Sequence, residues 1–407
     1  MEKVLNISKI REEFPILQEK VNGKPLVYFD NAASSQKPIS VIETISNYYL
    51  KEHANIHRGV HTLSQKATSK YEAVRDNLAD YIGAESQEII FTRGTTEAIN
   101  LFASTYGAEN LRPGDEVIIS TLEHHSNMVP WHMWCQKTGA ILKIIPINDA
   151  GELDIEAYTE LLNEKTKIIS VAHVSNTLGT VNDVKFIIQQ AHEFGAVVLL
   201  DGAQALPHIE VNVKDLDCDF YASSAHKMYG PTGIGFLYGK TELLEKMPPY
   251  HGGGEMIKSV SLLESTYADL PFKFEAGTPN IADTIGFGAA IDFLKKYGAK
   301  NIAAHEKMLH DYATEELSKI EGIRFIGTSK HKAGVISFLI GDIHPYDLGV
   351  ILDQLGIAVR TGHHCTEPLM QRFNIPGTVR ASFAIYNTKE EVDQFIAGVK
   401  RAQRMLS

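Results

Sequence analysis

The sequence predicts an α/β fold, a mostly parallel sheet covered by helices on both faces and followed by a smaller α+β unit. Three observations carry this. From about residue 88, short apolar runs alternate with longer amphipathic segments, as strands buried on both faces of a parallel sheet require. After about residue 285 the texture changes, and a long helical stretch leads to apolar strands interleaved with further helices. A chain of 407 residues has room for two packed units that share one cleft.

The elements follow in order. EIIF reads as a strand, and EAINLFASTY places Ile99, Phe102, Ala103 and Tyr106 at helical spacing. DEVIIS, ILKIIPI, KIISVAHV and AVVLLD follow as strands, separated by segments long enough for helices; DFYASS and IGFLYG close the sheet. The stretch Ile285 to Lys296 reads as a helix, and VISFLI, IAVRTG and TVRASFAI as the strands of the second unit. In the last helix Thr388 and Glu391 have capping-box spacing, and Val392, Phe395, Ile396 and Val399 make one apolar face.

Composition narrows the class. An apolar fraction of 44% and a charged fraction of 22% are those of a soluble globular protein. A formal charge of −11 argues against nucleic acid, whose phosphates demand a basic surface. The N-terminal MEKVLNISKIREEFPIL has no signal-peptide pattern, and no apolar run approaches the length that spans a bilayer. A cytoplasmic protein without membrane attachment is expected. Three widely spaced cysteines form no disulfide framework; Cys135 and Cys218 read as small buried hydrophobes.

Three segments carry chemistry. In SSAHKMYGPTGIG, Lys227 falls between an apolar strand and a glycine-rich turn. Most lysines are solvated, but a buried one loses its proton more readily and becomes a nucleophile toward carbonyls. That is what a Schiff base with an aldehyde cofactor requires. In AVVLLDGAQ, Asp201 ends a buried strand, at the edge where open α/β sheets bind ligands; capping the next helix is its commoner role. Pyridoxal phosphate (PLP) needs such a pair, a lysine for its aldehyde and an acid for its ring nitrogen. In FTRGTTEAINLF, Thr95 and Thr96 open a helix and can present hydroxyls and N–H groups to a phosphate. No GxxxxGK and no strand-linked GxGxxG competes for that role.

RGTTEAIN, EHHSN, HVSNTLGT, DGAQ and SAHKMYGPTGIG together resemble the fold-type-I PLP enzymes of the class V aminotransferase superfamily, and RTGHHC narrows the likeness to cysteine desulfurases of the SufS type (group II). The resemblance runs over nearly the whole chain and implies a seven-stranded large domain. With the change of texture, it divides the chain into an N-terminal helical segment on the small domain (1–20), a large PLP-binding domain (21–290) and a small C-terminal domain with the catalytic cysteine (291–407). By matched position, Lys227 would carry the cofactor, Asp201 would pair with its ring nitrogen, and His124 would stack on the ring and assist proton transfer. Gln204 would bond the ring oxygen, and Thr96, Ser224 and His226 would join Thr95 at the phosphate. Thr278 would reach the phosphate of a neighbouring subunit, which implies a homodimer. Asn176 and Arg380, with Arg360, would bind the substrate carboxylate.

RTGHHC itself admits two readings, a zinc site or an activated thiol. A closed zinc site needs about four ligands, and these three crowded side chains have no evident fourth. His53, His57 and His61 lie four apart, but Gly59 weakens the helix that would align them. Cys365 precedes EPLMQRF, whose Pro368 suits a first helical turn. A helix start with His363, His364 and Arg360 nearby favours a thiolate. The implied reaction converts L-cysteine to L-alanine, leaves a persulfide on Cys365, and passes the sulfur to a SufE-like or SufU-like acceptor for iron–sulfur cluster assembly. A selenocysteine lyase or related β-lyase would use the same residues; a non-catalytic sulfur-trafficking or zinc-binding scaffold would not need them intact. One departure stands out: the resembled family usually has Ala and a neutral residue after the cysteine, where this chain has Thr366 and Glu367.

Overall fold

The computed structural model describes residues 5–406. Its large sheet has seven strands: β1 (Ile89–Thr92), β2 (Glu116–Ser120), β3 (Ile141–Ile145), β4 (Thr166–Ala172), β5 (Val197–Asp201), β6 (Phe220–Ser224) and β7 (Gly235–Gly239), in the order β1-β7-β6-β5-β4-β2-β3. All neighbours are parallel except β7, which runs antiparallel to both β1 and β6.

Both faces of this sheet are dry. Ile118, Ile169, Val198, Leu200 and Tyr221 face one apolar core, while Val117, Ile119, Ile168, Leu199 and Phe220 face the other. This two-residue alternation inside continuous apolar runs is why the strands are legible in sequence. Each such side chain contributes about 1.5–3 kcal/mol on burial. The edge strand β3 is the exception, with Ile141 and Ile144 exposed beside Lys143.

Helices packed in the cores of this sheet include α1 (Thr62–Ile82), α2 (Thr95–Phe102) and α3 (Ile281–Tyr297), of which α2 supplies Thr95 and Thr96 to the site. After α3 come α4 (Ala299–Ser318) and a four-stranded antiparallel sheet of β8 (Ile323–Ile326), β9 (Val335–Ile340), β10 (Arg360–Gly362) and β11 (Thr378–Ser382), ordered β8-β9-β11-β10. The short helix α5 (Glu367–Phe373) follows the cysteine turn, and α6 (Lys389–Leu406) ends the chain. The capping box at α6 forms both of its bonds: Glu391 N–H donates to the Thr388 hydroxyl at 3.2 Å, and Thr388 N–H donates to the Glu391 carboxylate at 3.0 Å. Val392, Phe395, Ile396 and Val399 are buried in the third core.

The early chain ties the two units together. Val27–Tyr28 pairs in parallel with Ile357–Ala358, and Val27 and Phe29 lie in the core of the small sheet. Phe14 packs against Tyr229, Phe293 and Tyr386 at once, and Arg11 pairs with Glu391 at 2.8 Å. Among the described residues no helix is long and apolar enough to cross a membrane.

Candidate active site

The strands of the large sheet converge on one cleft of about 220 Å³. Their carboxyl ends supply its floor: β1 leads to Thr95 and Thr96, β2 to His124, β4 ends at Ala172, β5 at Asp201, and β6 at Ser224 just before Lys227. The small unit supplies the opposite wall with Arg360, His364, Cys365 and Arg380. Asn176, Gln204 and His226 also line it. Thirteen residues were marked in the sequence, and all but Thr278 line this cleft. Thr278 is exposed and belongs to a neighbouring depression with Arg93, Glu97, Tyr250 and His251.

The floor is tuned by burial. Lys227 is half-buried, and desolvation pushes its ammonium down to about 8, against the opposing pull of Asp201. Asp201 is buried, its carboxyl raised by desolvation while the Ala203 N–H donates to Oδ1 at 3.0 Å. Gly202 follows because a side chain there would collide with the Tyr221 ring, 1.9 Å from where its Cβ would stand. His124 is pushed down to about 3 by burial and the nearby Lys227 charge. The Ser126 N–H, which can only donate, lies 3.1 Å from His124 Nδ1. Nδ1 is therefore unprotonated, and the neutral ring carries its hydrogen on Nε2.

Thr95 and Ser224 are closely joined: the Thr95 N–H donates to Ser224 Oγ at 2.8 Å and the two hydroxyls meet at 2.7 Å. Thr96 is exposed to the cleft at the first turn of α2. Gln204 donates from Nε2 to the Ala32 carbonyl at 2.5 Å, which leaves Oε1 buried with no partner. Burial and Lys227 push His226 down to about 4. Its carbonyl is a hub that accepts from the Ser35 N–H at 3.1 Å, from the Ser34 and Ser35 hydroxyls, and from Lys37 Nζ at 2.9 Å.

The opposite wall is electrostatic. Arg360 and Arg380 are register partners on β10 and β11. Asp30 lies between them, 3.1 Å from Arg380 Nη2 and 3.9 Å from Arg360 Nη1. Burial pushes Arg380 down to about 10, and Asp30 pulls it back up. Two guanidiniums against one carboxylate leave a positive excess, and Arg380 Nε is buried without a partner. The arrangement calls for an anion. Asn176 donates from Nδ2 to the His364 carbonyl at 2.9 Å, and its backbone carbonyl accepts from Arg380 Nη1 at 2.9 Å.

Cys365 sits in a tight turn. His364 and Cys365 have φ of 53° and 58°, and the Thr366 N–H donates to the His363 carbonyl at 2.9 Å. Positive φ at both central residues is the pattern of a type I′ turn, which favours glycine and asparagine. Each non-glycine residue there costs about 1–3 kcal/mol. External bonds offset this cost: Asn176 to His364, and the His125 N–H to the Cys365 carbonyl at 2.8 Å. The His125 ring also accepts the Glu367 N–H at 3.2 Å. Pro368 stands in the first turn of α5, as its position in the sequence suggested.

One expectation is corrected. His364 does not lend positive charge to the thiol: it is buried, desolvation and the two arginines push it down to about 2, and its Nε2 meets the Thr378 hydroxyl at 2.8 Å. It contributes its backbone carbonyl instead. Cys135 and Cys218 are buried, and desolvation raises both thiols, Cys135 to about 11. Cys365, partly exposed, is the one cysteine of the cleft. Sequence reasoning missed Asp30, Ser126, His125, Lys37 and Thr177. Asp30 has no local signal, since it meets Arg380 across 350 positions of chain.

Comparison with known proteins agrees with this geometry. The profile of the aminotransferase class-V family matches residues 27–395. A cysteine desulfurase of Dickeya dadantii (strain 3937) is 52% identical over 402 residues, covering 98% of this chain and 97% of its own. A probable cysteine desulfurase of Halalkalibacterium halodurans is 51% identical over 400 residues, 98% of each chain. The crystal structure of the cysteine desulfurase CsdA (S-sulfonic acid) from Escherichia coli superposes with a TM-score of 0.93 at 40% identity, covering 100% of both chains.

Proposed function

The chain belongs to the aminotransferase class-V family, and from that premise we propose that it is a PLP-dependent cysteine desulfurase that forms L-alanine and a Cys365 persulfide. The observation that carries the reading is the meeting of Cys365 with Lys227, Asp201 and the Arg360–Arg380 pair in one cleft.

The residues present fit the cofactor. Lys227 has a depressed pKa without being solvent-exposed, Asp201 is a buried acid with raised pKa that an added cation would relieve, and Gln204 Oε1 is buried and unpartnered. Lys227 would hold the aldehyde carbon and Asp201 the ring nitrogen, with Thr95, Thr96, Ser224 and His226 around the phosphate. Bound there, PLP supplies an aldehyde that condenses with amines and a ring that withdraws electrons from the substrate's Cα.

The chain's own groups do the rest. Arg380, with its free Nε, and Arg360 hold the substrate carboxylate. Lys227, once released as a free amine, takes the Cα proton; a pKa near neutrality suits it to that task. His124 offers a hydrogen from Nε2. The Cys365 thiolate forms an S–S bond with the substrate sulfur as the Cβ–Sγ bond breaks, and Cβ gains a proton. Cysteine plus thiol gives alanine plus persulfide, with no outside oxidant.

The finer parts of the reading follow the resemblance. Thr278, exposed beside the cleft of its own chain, would complete the phosphate site of a second copy in a homodimer. The persulfide would pass to a SufE-like or SufU-like acceptor and serve iron–sulfur cluster assembly in the cytoplasm.

A single turnover with L-cysteine, followed by intact mass under non-reducing conditions, tests the core of this. Alanine with a sulfur adduct of about 32 Da on wild type, and none on Cys365→Ser, is expected. Alanine with no adduct, or turnover unaffected by Cys365→Ser, would move the assignment to a lyase.

A further inference from the structure

We propose that Thr366 is a positioning residue that fixes the Cys365 sulfur by closing its turn and docking that turn onto the large unit; this rests on reading Cys365 as the sulfur-accepting thiol. The hydroxyl of Thr366 is fully buried and donates to the His363 carbonyl at 2.9 Å, the same carbonyl that takes its N–H. A hydroxyl has one hydrogen, so the 2.9 Å contact with Thr177 Oγ1 must be a donation from Thr177. Thr366 thus closes the turn twice from inside and accepts one bond from outside.

The outside partner gives the contact its meaning. Asn176 and Thr177 are consecutive residues beyond β4, and they grip the residues on either side of the cysteine: Asn176 holds His364, and Thr177 holds Thr366. The His125 N–H holds the Cys365 carbonyl between them. A turn with two non-glycine residues at positive φ keeps its shape only while such bonds persist. Alanine at 366 would keep the backbone bond but leave the buried Thr177 hydroxyl without its acceptor. Valine would fill the space and still lose both hydroxyl bonds. Serine would keep both. Threonine at 366, where the resembled family usually has alanine, therefore adds a side-chain tie between the cysteine turn and the large unit.

The test uses the holoenzyme as wild type and as Thr366→Val, Thr366→Ser, Thr177→Val and the valine double variant. Iodoacetamide labelling of Cys365, followed by peptide mass without substrate, reads the turn directly. Single-turnover alanine formation over a range of L-cysteine concentrations reads its consequence. Thr366→Val is expected to change the labelling rate by at least ~3-fold and slow the single turnover ~10–100-fold, with half-saturation within ~2-fold of wild type. Thr366→Ser should return both rates to within ~3-fold of wild type, and the double variant should be no worse than Thr366→Val alone. Wild-type labelling and turnover in Thr366→Val would overturn the proposal. So would equal losses in the serine and valine variants, or a loss confined to half-saturation. If Thr366→Val does not fold, Thr177→Val reads the same bond from its other end. If wild type makes no alanine while labelling responds as stated, the desulfurase reading falls and the role of Thr366 in the turn stands.

Discussion

Lys227 and Cys365 face the same cleft, yet the backbone under each is held differently. Lys227 ends a single helical turn, Ala225–Lys227, directly after β6 of a sheet buried on both faces. Its surroundings act through desolvation, which lowers its pKa and raises that of Asp201. Cys365 sits at positive φ in a turn that the local sequence does not favour. Bonds from Asn176, Thr177 and His125 hold that turn, all from the other unit. The floor of the cleft is thus set by regular structure and tuned by burial, whereas the wall is set by long-range hydrogen bonds. Changes on the floor should cost chemistry and spare geometry; changes on the wall should cost geometry first.

The sharpest way to break this contrast is Lys227→Ala. Alanine formation should fall by ~10³-fold or more, the scale of a lost general base and anchor, while iodoacetamide labelling of Cys365 proceeds at the wild-type rate. A changed labelling rate would mean that the two regions are not separable. Next in size is Arg380→Lys. Replacing a guanidinium that serves Asn176 and Asp30 with a single ammonium should raise half-saturating L-cysteine ~10–100-fold, as expected for charged hydrogen bonds of about 1.5–3 kcal/mol. Steady-state titration checks it, and an unchanged value would place the substrate carboxylate elsewhere.

The smallest effect is in acid. His124, His226 and His364 stay neutral in the folded protein down to about 3, 4 and 2, but in the unfolded chain they protonate near the usual 6.5. Their folded pKa values are depressed, so the unfolded chain binds more protons and stability falls as pH drops below about 6.5. Glu123, raised to about 8 by burial, opposes them with one proton between about 4.5 and 8. Each histidine contributes at most ~1.4 kcal/mol per pH unit. His364 is the one on the wall, so His364→Gln should make the slope of denaturant stability between pH 6.5 and 4.5 shallower by about one proton. An unchanged slope would show that His364 is protonated when folded and restore it as a charge beside the thiol.

Much of the floor was legible because its signals are local. β5 ends its apolar run at Asp201, β6 ends just before Lys227, and Thr95 starts α2; a buried strand that stops at a polar residue marks the edge where a ligand can sit. The same periodicity marked α6 through Val392, Phe395 and Val399. Local pattern also misled, since three adjacent ligand-type residues in RTGHHC suggested cations around a thiol, whereas His364 is buried and neutral.

The sequence by itself determined which segments become strands and helices and which polar residues stand at their ends, because those choices rest on apolar spacing within a few residues. Only the tertiary structure decided that Asp30 balances Arg380 across 350 residues, and that Thr177 and Asn176 hold the cysteine turn across 189 and 188. Charge balance and turn strain depend on which groups meet in space and how much water is excluded where they meet. Neither is written in the spacing of residues along a chain.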